Sequence, residues 1–362
     1  MKRMKGKHNL KTVPIEYLWE GLVLSEDLYN SSGKVLLIPK GEVLTESRLK
    51  QLEKYDPRNR YFTIREDSYN EIVRSGKLPG DIRQKMVEDQ SGYTELKKSL
   101  NGILSMAHRL KTVSNAEVEL TVNDILGKLE TMHAETIFQC IDVPRKLDED
   151  LQRHSLNVAL LNGMMGEWME MPPDEIRRLV MAGTLHDIGK ARIPEEILNA
   201  PRKLTEEETE EIRRHPVYGD AMLGPEVNLK VRQAVRFHHE KMDGSGYPDS
   251  LKGDKIPLYA RVTSISDIYD AMVSRRSYKE AKIPFDILEQ FRENKFEGLD
   301  RRLTEIFVKN MRKQFIEKRV EMSDGSCGIV KYIPPNDMEH PVIMAEQQIK
   351  QTDDEWYCVR IV

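Results

Sequence analysis

The sequence predicts a mainly α fold: a helical bundle flanked by a small β-rich unit at the N-terminus and a small β appendage at the C-terminus. Three observations carry this. Through the middle of the chain almost every segment repeats its apolar residues at the i, i+3, i+4 spacing of a helix, as in YTELKKSLNGILSMAHRL, HSLNVALLNGMMGEWM and PDEIRRLVMAGTLHDIG. Proline-bearing loops such as MPPD, IPEE, NAPRKLT and GYPDSLKGDKIP divide that region into about eight or nine helices. At both ends the helical spacing gives way to β-branched and aromatic residues alternating with polar ones.

In chain order, residues 1–70 form the first unit. VLSEDLYNSSGKVLLIPKGEVL places two β-prone runs around an Asn-Ser-Ser-Gly turn, and TESRLKQLEKY has the apolar spacing of a short helix. Residues 71–95 are polar, contain a Pro-Gly break and are expected as a connector with some helical character. The helical domain spans 96–318. Residues 319–362 are the appendage, in which SDGSCGIVKYIPPNDMEHPVIM and EWYCVRIV predict three or four strands around Asp-Gly and Pro-Pro turns.

Composition narrows the function classes. The chain has 362 residues, 39% of them apolar and 32% charged, as expected of a globular protein rich in solvated helices. Its formal net charge of −4 gives no overall field that would draw it to nucleic acid or an anionic membrane, so a site for an anionic substrate must be basic locally or carry metal ions. Cys140, Cys327 and Cys358 are odd in number and widely spaced. They argue against a disulfide framework or a zinc ribbon and for a reducing compartment, the cytoplasm. The basic start MKRMKGKHNLKTVP is followed by no apolar stretch, so it is not a signal peptide. No run approaches the roughly 18 apolar residues of a membrane helix.

Five of the nine histidines fall between residues 154 and 239: His154, His186, His215, His238 and His239. Asp187 follows His186 directly, and Asp243, Asp267 and Asp270 lie nearby in sequence. Each alone has an ordinary structural reading, but the whole set being incidental does not. Imidazole mixed with carboxylate, without thiolate, suits zinc, iron or manganese. Two ions about 3.5–4 Å apart can activate a shared water and stabilise an in-line phosphoryl displacement. A redox di-iron centre uses similar donors. Lys190, Arg276 and Lys279, close to these residues in sequence, favour a phosphate-bearing substrate.

The order His154, HDIGK (186–190), His215-Pro216, HHEKMDGSGYP (238–248) and SDIYDAM (266–272) resembles the HD-GYP domain, a subgroup of the HD phosphohydrolase superfamily. The resemblance covers roughly residues 140–310, including LKGDKIPLYARV. It implies an all-α bundle that hydrolyses cyclic di-GMP, a bacterial second messenger, to linear pGpG and in some members to GMP, with two or three divalent metals, commonly iron or manganese. Carried over residue by residue, it implies metal ligation by His154, His186, Asp187, His215, His238, His239 and Asp267, with Asp187 as the bridge. Asp150 stands where trinuclear members have a glutamate one helical turn before the first histidine, so it is the candidate third-metal ligand. Lys190 would contact the scissile phosphate, and Arg276 and Lys279 would hold substrate phosphates. Asp270 would support a ligand or Lys190 on the substrate side. Gly246, Tyr247 and Pro248 form the family's signature loop beside the substrate, with Glu240 and Asp243 as loop support. The segment EGLDRRLTEIF departs from the Asp-Pro found there in many members.

The expected mechanism is attack on phosphorus by a metal-bridging hydroxide, with Asp187 and Lys190 as the catalytic residues. Two further readings stand beside it: a cyclic-dinucleotide-responsive scaffold with weak or no turnover, and a hydrolase of another cyclic dinucleotide such as cyclic GMP-AMP. Expected partners are cyclic di-GMP, GGDEF-domain proteins through the signature loop and a second copy in a homodimer; no nucleic acid polymer and no membrane are expected.

Overall fold

The computed structural model describes residues 10–14, 18–25, 27–29, 36–54, 61–65, 68, 80–131, 150–274, 284–345 and 348–361. The chain divides into two compact units. One comprises residues 1–90, 316–332 and 340–362; the other comprises residues 91–315 and 333–339. The two β-rich ends, expected apart, thus fall in one unit, while Ile333–Glu339 belongs with the helices. That segment is held there by Arg312, which donates to the Ile333 carbonyl at 3.1 Å, and by Glu289, which accepts from the Met338 amide at 3.1 Å.

In the first unit, β1 (Leu10–Pro14) pairs antiparallel with β4 (Tyr61–Arg65), in register Leu10↔Arg65 to Pro14↔Tyr61. β2 (Leu28–Tyr29) pairs with β3 (Leu36–Ile38) as the two β-prone runs predict; the turn between them lies outside the described residues. α1 (Glu46–Lys54) follows. Leu18, Trp19, Leu22, Leu24, Leu28, Ile38, Leu44 and Ile64 form a buried core around these elements. The C-terminal part is a five-stranded antiparallel sheet rather than three or four strands. β5 (Arg319–Met322), β6 (Cys327–Tyr332), β7 (Val342–Ala345), β8 (Gln348–Gln351) and β9 (Cys358–Ile361) lie in the order β8-β7-β6-β5-β9. The strand with the weakest signal is β8: QIKQ is exposed throughout and has no buried face to write an alternation.

Residues 80–95 of the expected connector are helical, the start of α2 (Gly80–Leu110), and the helical unit begins within that helix at residue 91. α3 (Asn115–Thr131), α4 (Asp150–Trp168), α5 (Pro173–Leu185), α6 (Glu195–Leu198), α7 (Glu206–Arg213), α8 (His215–Met222), α9 (Leu229–Phe237), α10 (Leu258–Ser274), α11 (Pro284–Arg292) and α12 (Arg301–Gln314) complete it. Among the described residues that makes eleven α-helices, two or three more than the loops predict. α6 is a single turn, and α7 and α8 meet at Arg214 with no proline or glycine between them.

Local chemistry sets these boundaries. Pro173 opens α5, where its missing N–H is no loss. Thr205 and Glu208 form a reciprocal capping box on α7, with the Glu208 amide 3.2 Å from Thr205 Oγ1 and the Thr205 amide 2.9 Å from Glu208 Oε2. Asn228 caps α9 and Asp300 caps α12. Asp300 also binds Arg261 at 2.6 Å, so EGLDRR is a helix start tied to α10. α4 is buried on nearly every side from Arg153 to Gly166, and α10 on most sides. Helices of that kind are central ones. These two carry His154, Asp267 and Asp270.

Candidate metal centre

The site gathers at helix ends around two central helices. His186 directly follows α5, His215 follows α7 after Arg214, and His238 directly follows α9. The last carbonyls of a helix have no partner within it. Here they orient the rings: His186 Nδ1 donates to the Gly183 carbonyl at 2.8 Å, His215 Nδ1 to Ile212 at 2.8 Å and His238 Nδ1 to Val235 at 2.9 Å. A carbonyl only accepts, so each Nδ1 carries a hydrogen and each ring turns its Nε2 inward. The Nε2 atoms converge. His215 Nε2 stands 3.3 Å from His238 Nε2, and His186 Nε2 stands 3.2 Å from His154 Nε2.

Asp187 lies between these pairs, in the bridge region of backbone space at φ −98°, ψ 7°, a region that many active-site residues occupy. Its Oδ2 faces His186 Nε2 at 3.4 Å, His154 Nε2 at 3.6 Å and Lys190 Nζ at 2.5 Å. Its Oδ1 faces His215 Nε2 at 3.2 Å and His238 Nε2 at 4.0 Å. Asp267 Oδ1 lies 3.1 Å from His154 Nε2. Potential ligand atoms of Asp187, His215, His238 and His239 all lie within 4.8 Å of one another, as do those of His154, His186 and Asp187 and those of His186, His238 and Asp267.

The cluster's charges are mutually dependent. Burial works against charge on His154, but its bonds to Asp267 and Asp270 outweigh this and push the imidazole up to about 10. Burial likewise opposes ionisation of Asp187, yet Lys190, His186 and His215 hold it well below the usual carboxylate range. Asp267 is held down by His154 in the same way, against its burial. Burial and neighbouring imidazoles push His238 well down, and burial foremost takes His239 to about 3. Those two rings are therefore neutral near pH 7, as metal ligation requires.

The structure brings together His154, His186, Asp187, Lys190, His215, His238, His239 and Asp267. Of the two roles expected of Asp270, the structure supports the one behind a ligand and corrects the one at the substrate. It is fully buried behind His154, accepting at 2.7 Å from His154 Nδ1 and at 2.7 Å from Asn157 Nδ2, and therefore holds a ring rather than facing substrate. Its spacing explains this, because Asp267 and Asp270 are i, i+3 on α10 and present two carboxylates to one imidazole. Asp150 opens α4, but its side chain lies outside the described residues, as do Arg276 and Lys279 altogether.

In the signature loop, Glu240 accepts from the Asp249 amide at 2.7 Å and the Leu251 amide at 2.9 Å, and Asp243 accepts from the Ser245 amide at 2.9 Å. Both serve the loop. Gly246 is required by close approach, since a Cβ there would stand 2.5 Å from the Glu240 Cα, the His239 carbonyl oxygen and the Lys241 nitrogen. That contact lays Tyr247 against His239, ring centroids 4.8 Å apart and 26° from parallel.

Sequence reasoning missed Asn157 and the purpose of Gly189. Asn157 interrupts the apolar run LNVALL one turn after His154, and a polar residue there is a readable signal of a buried partner. Gly189 lets the turn Ile188–Arg192 pack on α8, because a Cβ would stand 1.9 Å from the His215 carbonyl oxygen and 2.4 Å from the Gly219 nitrogen.

Residues 140–303 match the family model described as HD domain. Within it lie the HDIGK and HHEKMDGSGYP motifs on which the resemblance to the HD-GYP group rests. A cyclic di-GMP phosphodiesterase response regulator, RpfG of Xanthomonas campestris, is 32% identical over 52% of this chain and 51% of its own length. A 3′3′-cGAMP-specific phosphodiesterase of Vibrio cholerae is 29% identical over 56% of this chain and 39% of its own. The chain thus spans about half or less of the length of these relatives. A solved HDG"Y"P protein from Bdellovibrio bacteriovorus shares the fold, with a TM-score of 0.51 and 12% identity over 84% of this chain and 99% of that one.

Proposed function

We propose that this protein is a metal-dependent phosphodiesterase that opens cyclic di-GMP to linear pGpG, with GMP as a further product. The observation that carries the reading is the division of Asp187's two oxygens between two groups of inward-facing imidazoles. His215 and His238, each with its Nδ1 hydrogen on a backbone carbonyl, bring their Nε2 atoms to 3.3 Å, a contact that two neutral rings make favourably only around a cation, so the donor set fits metal ions.

In this reading His154, His186, Asp187 and Asp267 would hold one divalent ion, and His215, His238, His239 and Asp187 a second. Iron or manganese suits such a mixed imidazole–carboxylate set, and Asp150 would add a third site. Ions bound there would lower the pKa of a water and offset the charge gathering on phosphorus. Asp270 and Asn157 keep His154 in its ring orientation. Lys190, partly exposed and ion-paired to Asp187, supplies a positive charge where a phosphate oxygen would arrive. Arg276 and Lys279 would bind the remaining phosphate. The proposed setting is the cytoplasm; among the described residues no helix is long and apolar enough to cross a membrane. GGDEF-domain proteins, meeting the Tyr247–Pro248 loop, are the proposed protein partners.

The second reading, hydrolysis of a hybrid cyclic GMP-AMP, is favoured by the name of the Vibrio cholerae relative. The test is anaerobic purification with iron or manganese, metal analysis and product identification on cyclic di-GMP, cyclic GMP-AMP and cyclic di-AMP. Linear pGpG from cyclic di-GMP is expected, and its loss in a folded His186→Ala, Asp187→Ala variant. Unchanged turnover in that variant overturns the proposal.

A further inference from the structure

We infer that Lys111 is a positioning residue for the proposed reaction: from outside the centre it holds the turn that carries Asp187 and Lys190. The inference rests on the phosphodiesterase reading above and extends it to a residue outside the 140–303 family match.

Lys111 directly follows α2, and its backbone is left-handed, with φ 54°. Its amide donates to the Ala107 carbonyl at 2.9 Å, the bond of a helix that ends on a single left-handed residue. Glycine is the usual residue at such a place, because a Cβ makes the conformation costly. The helix end therefore gives no reason for a lysine. The side chain gives one. Its Nζ donates to the Ala191 carbonyl at 2.6 Å, 80 residues along the chain. A second contact joins the same two segments, with His108 Nε2 3.4 Å from Glu195 Oε1.

Ala191 is buried in the turn Ile188–Arg192, directly after Lys190. The last carbonyls of so short a helix have no partner within it, and a bond from an ammonium is about twice as strong as one between neutral groups. The same turn meets α8 twice, through the close approach of Gly189 and through Arg192, whose guanidinium carbon lies 5.0 Å from the centroid of the Tyr218 ring. Lys190 thus stands between two anchored neighbours, with its Nζ 2.5 Å from Asp187 Oδ2. A charge that must meet a phosphate helps only where it is already placed, and a misplacement of about 1 Å can cost about a hundredfold in rate. The part of Lys111 is to fix the backbone one residue beyond Lys190.

The test compares metal-loaded wild type, Lys111→Gly, Lys190→Met and the double variant on cyclic di-GMP. Lys111→Gly suits the left-handed backbone and keeps the helix end formed, so it removes the ammonium without unfolding the chain. It should lower kcat and kcat/KM together by about ten- to a hundredfold, the mark of an interaction felt in the transition state. In the Lys190→Met background the same change should cost less than about twofold, because the two residues serve one contact. Hydrogen exchange supplies a readout that needs no turnover. The Lys190 and Ile193 amides donate to the Asp187 and Lys190 carbonyls at 2.9 Å and 3.0 Å. In Lys111→Gly they should exchange about tenfold faster or more, the usual worth of a hydrogen bond to a charged group. Unchanged kcat overturns the inference, as do a raised KM at unchanged kcat, an equal loss in both backgrounds, and unchanged exchange. Wild type that cleaves no cyclic di-GMP overturns the hydrolase reading instead, and exchange alone then decides whether Lys111 holds the turn.

Discussion

At the scale of single residues, the centre is set by groups that need never touch a metal. Asp270 and Asn157 occupy no obvious place in a list of ligands, yet they leave His154 one orientation. Removing such outer partners from metal-bound histidines typically costs about ten- to a hundredfold in metal affinity. Asp270→Asn is therefore expected to retain fold and melting cooperativity while losing metal on dialysis against a weak chelator, to that extent. Metal content per chain checks this, and full retention of metal would show that the ring keeps its orientation without the Asp270 carboxylate. The metal-candidate histidines and aspartates stood out in the sequence because their spacing is distinctive. Asp270's orientation did not, because a side chain three residues after a ligand can point at the substrate or at the ligand's far nitrogen. Only the packing of α10 on α4 decides between them.

Among the elements, three connections do most to assemble the centre: the turn after α5, the junction of α7 with α8, and the end of α9. The first two touch through Gly189 at a distance no side chain could tolerate. Gly189→Ala should force α8 and His215 away from Asp187. The expected result is loss of bound metal with helical content retained, read from metal analysis beside far-ultraviolet circular dichroism. A fully loaded Gly189→Ala protein would mean that α8 shifts without cost. The helices were readable from periodicity, and so were the β-rich ends. The pairing of β1 with β4 was not, because it joins strands some fifty residues apart and leaves no local mark. Nor was the junction at Arg214, where one helix stops and the next begins with neither proline nor glycine before His215.

For the whole molecule, the converging imidazoles make metal content a stability variable. A ligand that binds only the folded state stabilises it by about 2.7 kcal/mol at a hundred times its Kd. Chelation should thus lower the melting midpoint of the wild type, and manganese should restore it. The His186→Ala, Asp187→Ala variant should be far less responsive to either. A chelator-insensitive wild type would argue against a metal bound by the fold. The helix ends that orient His186 and His238 have one more effect. The C-terminus of a helix carries about half an elementary negative charge, and both α5 and α9 terminate at these rings. Lys190 and the charged His154 offset Asp187 and Asp267, and these helix ends tip the remaining balance of the metal-free centre toward the negative, which favours cations. In the proposed phosphodiesterase this sets an order of arrival, with the ions favoured first and an anionic phosphodiester favoured only once they are bound.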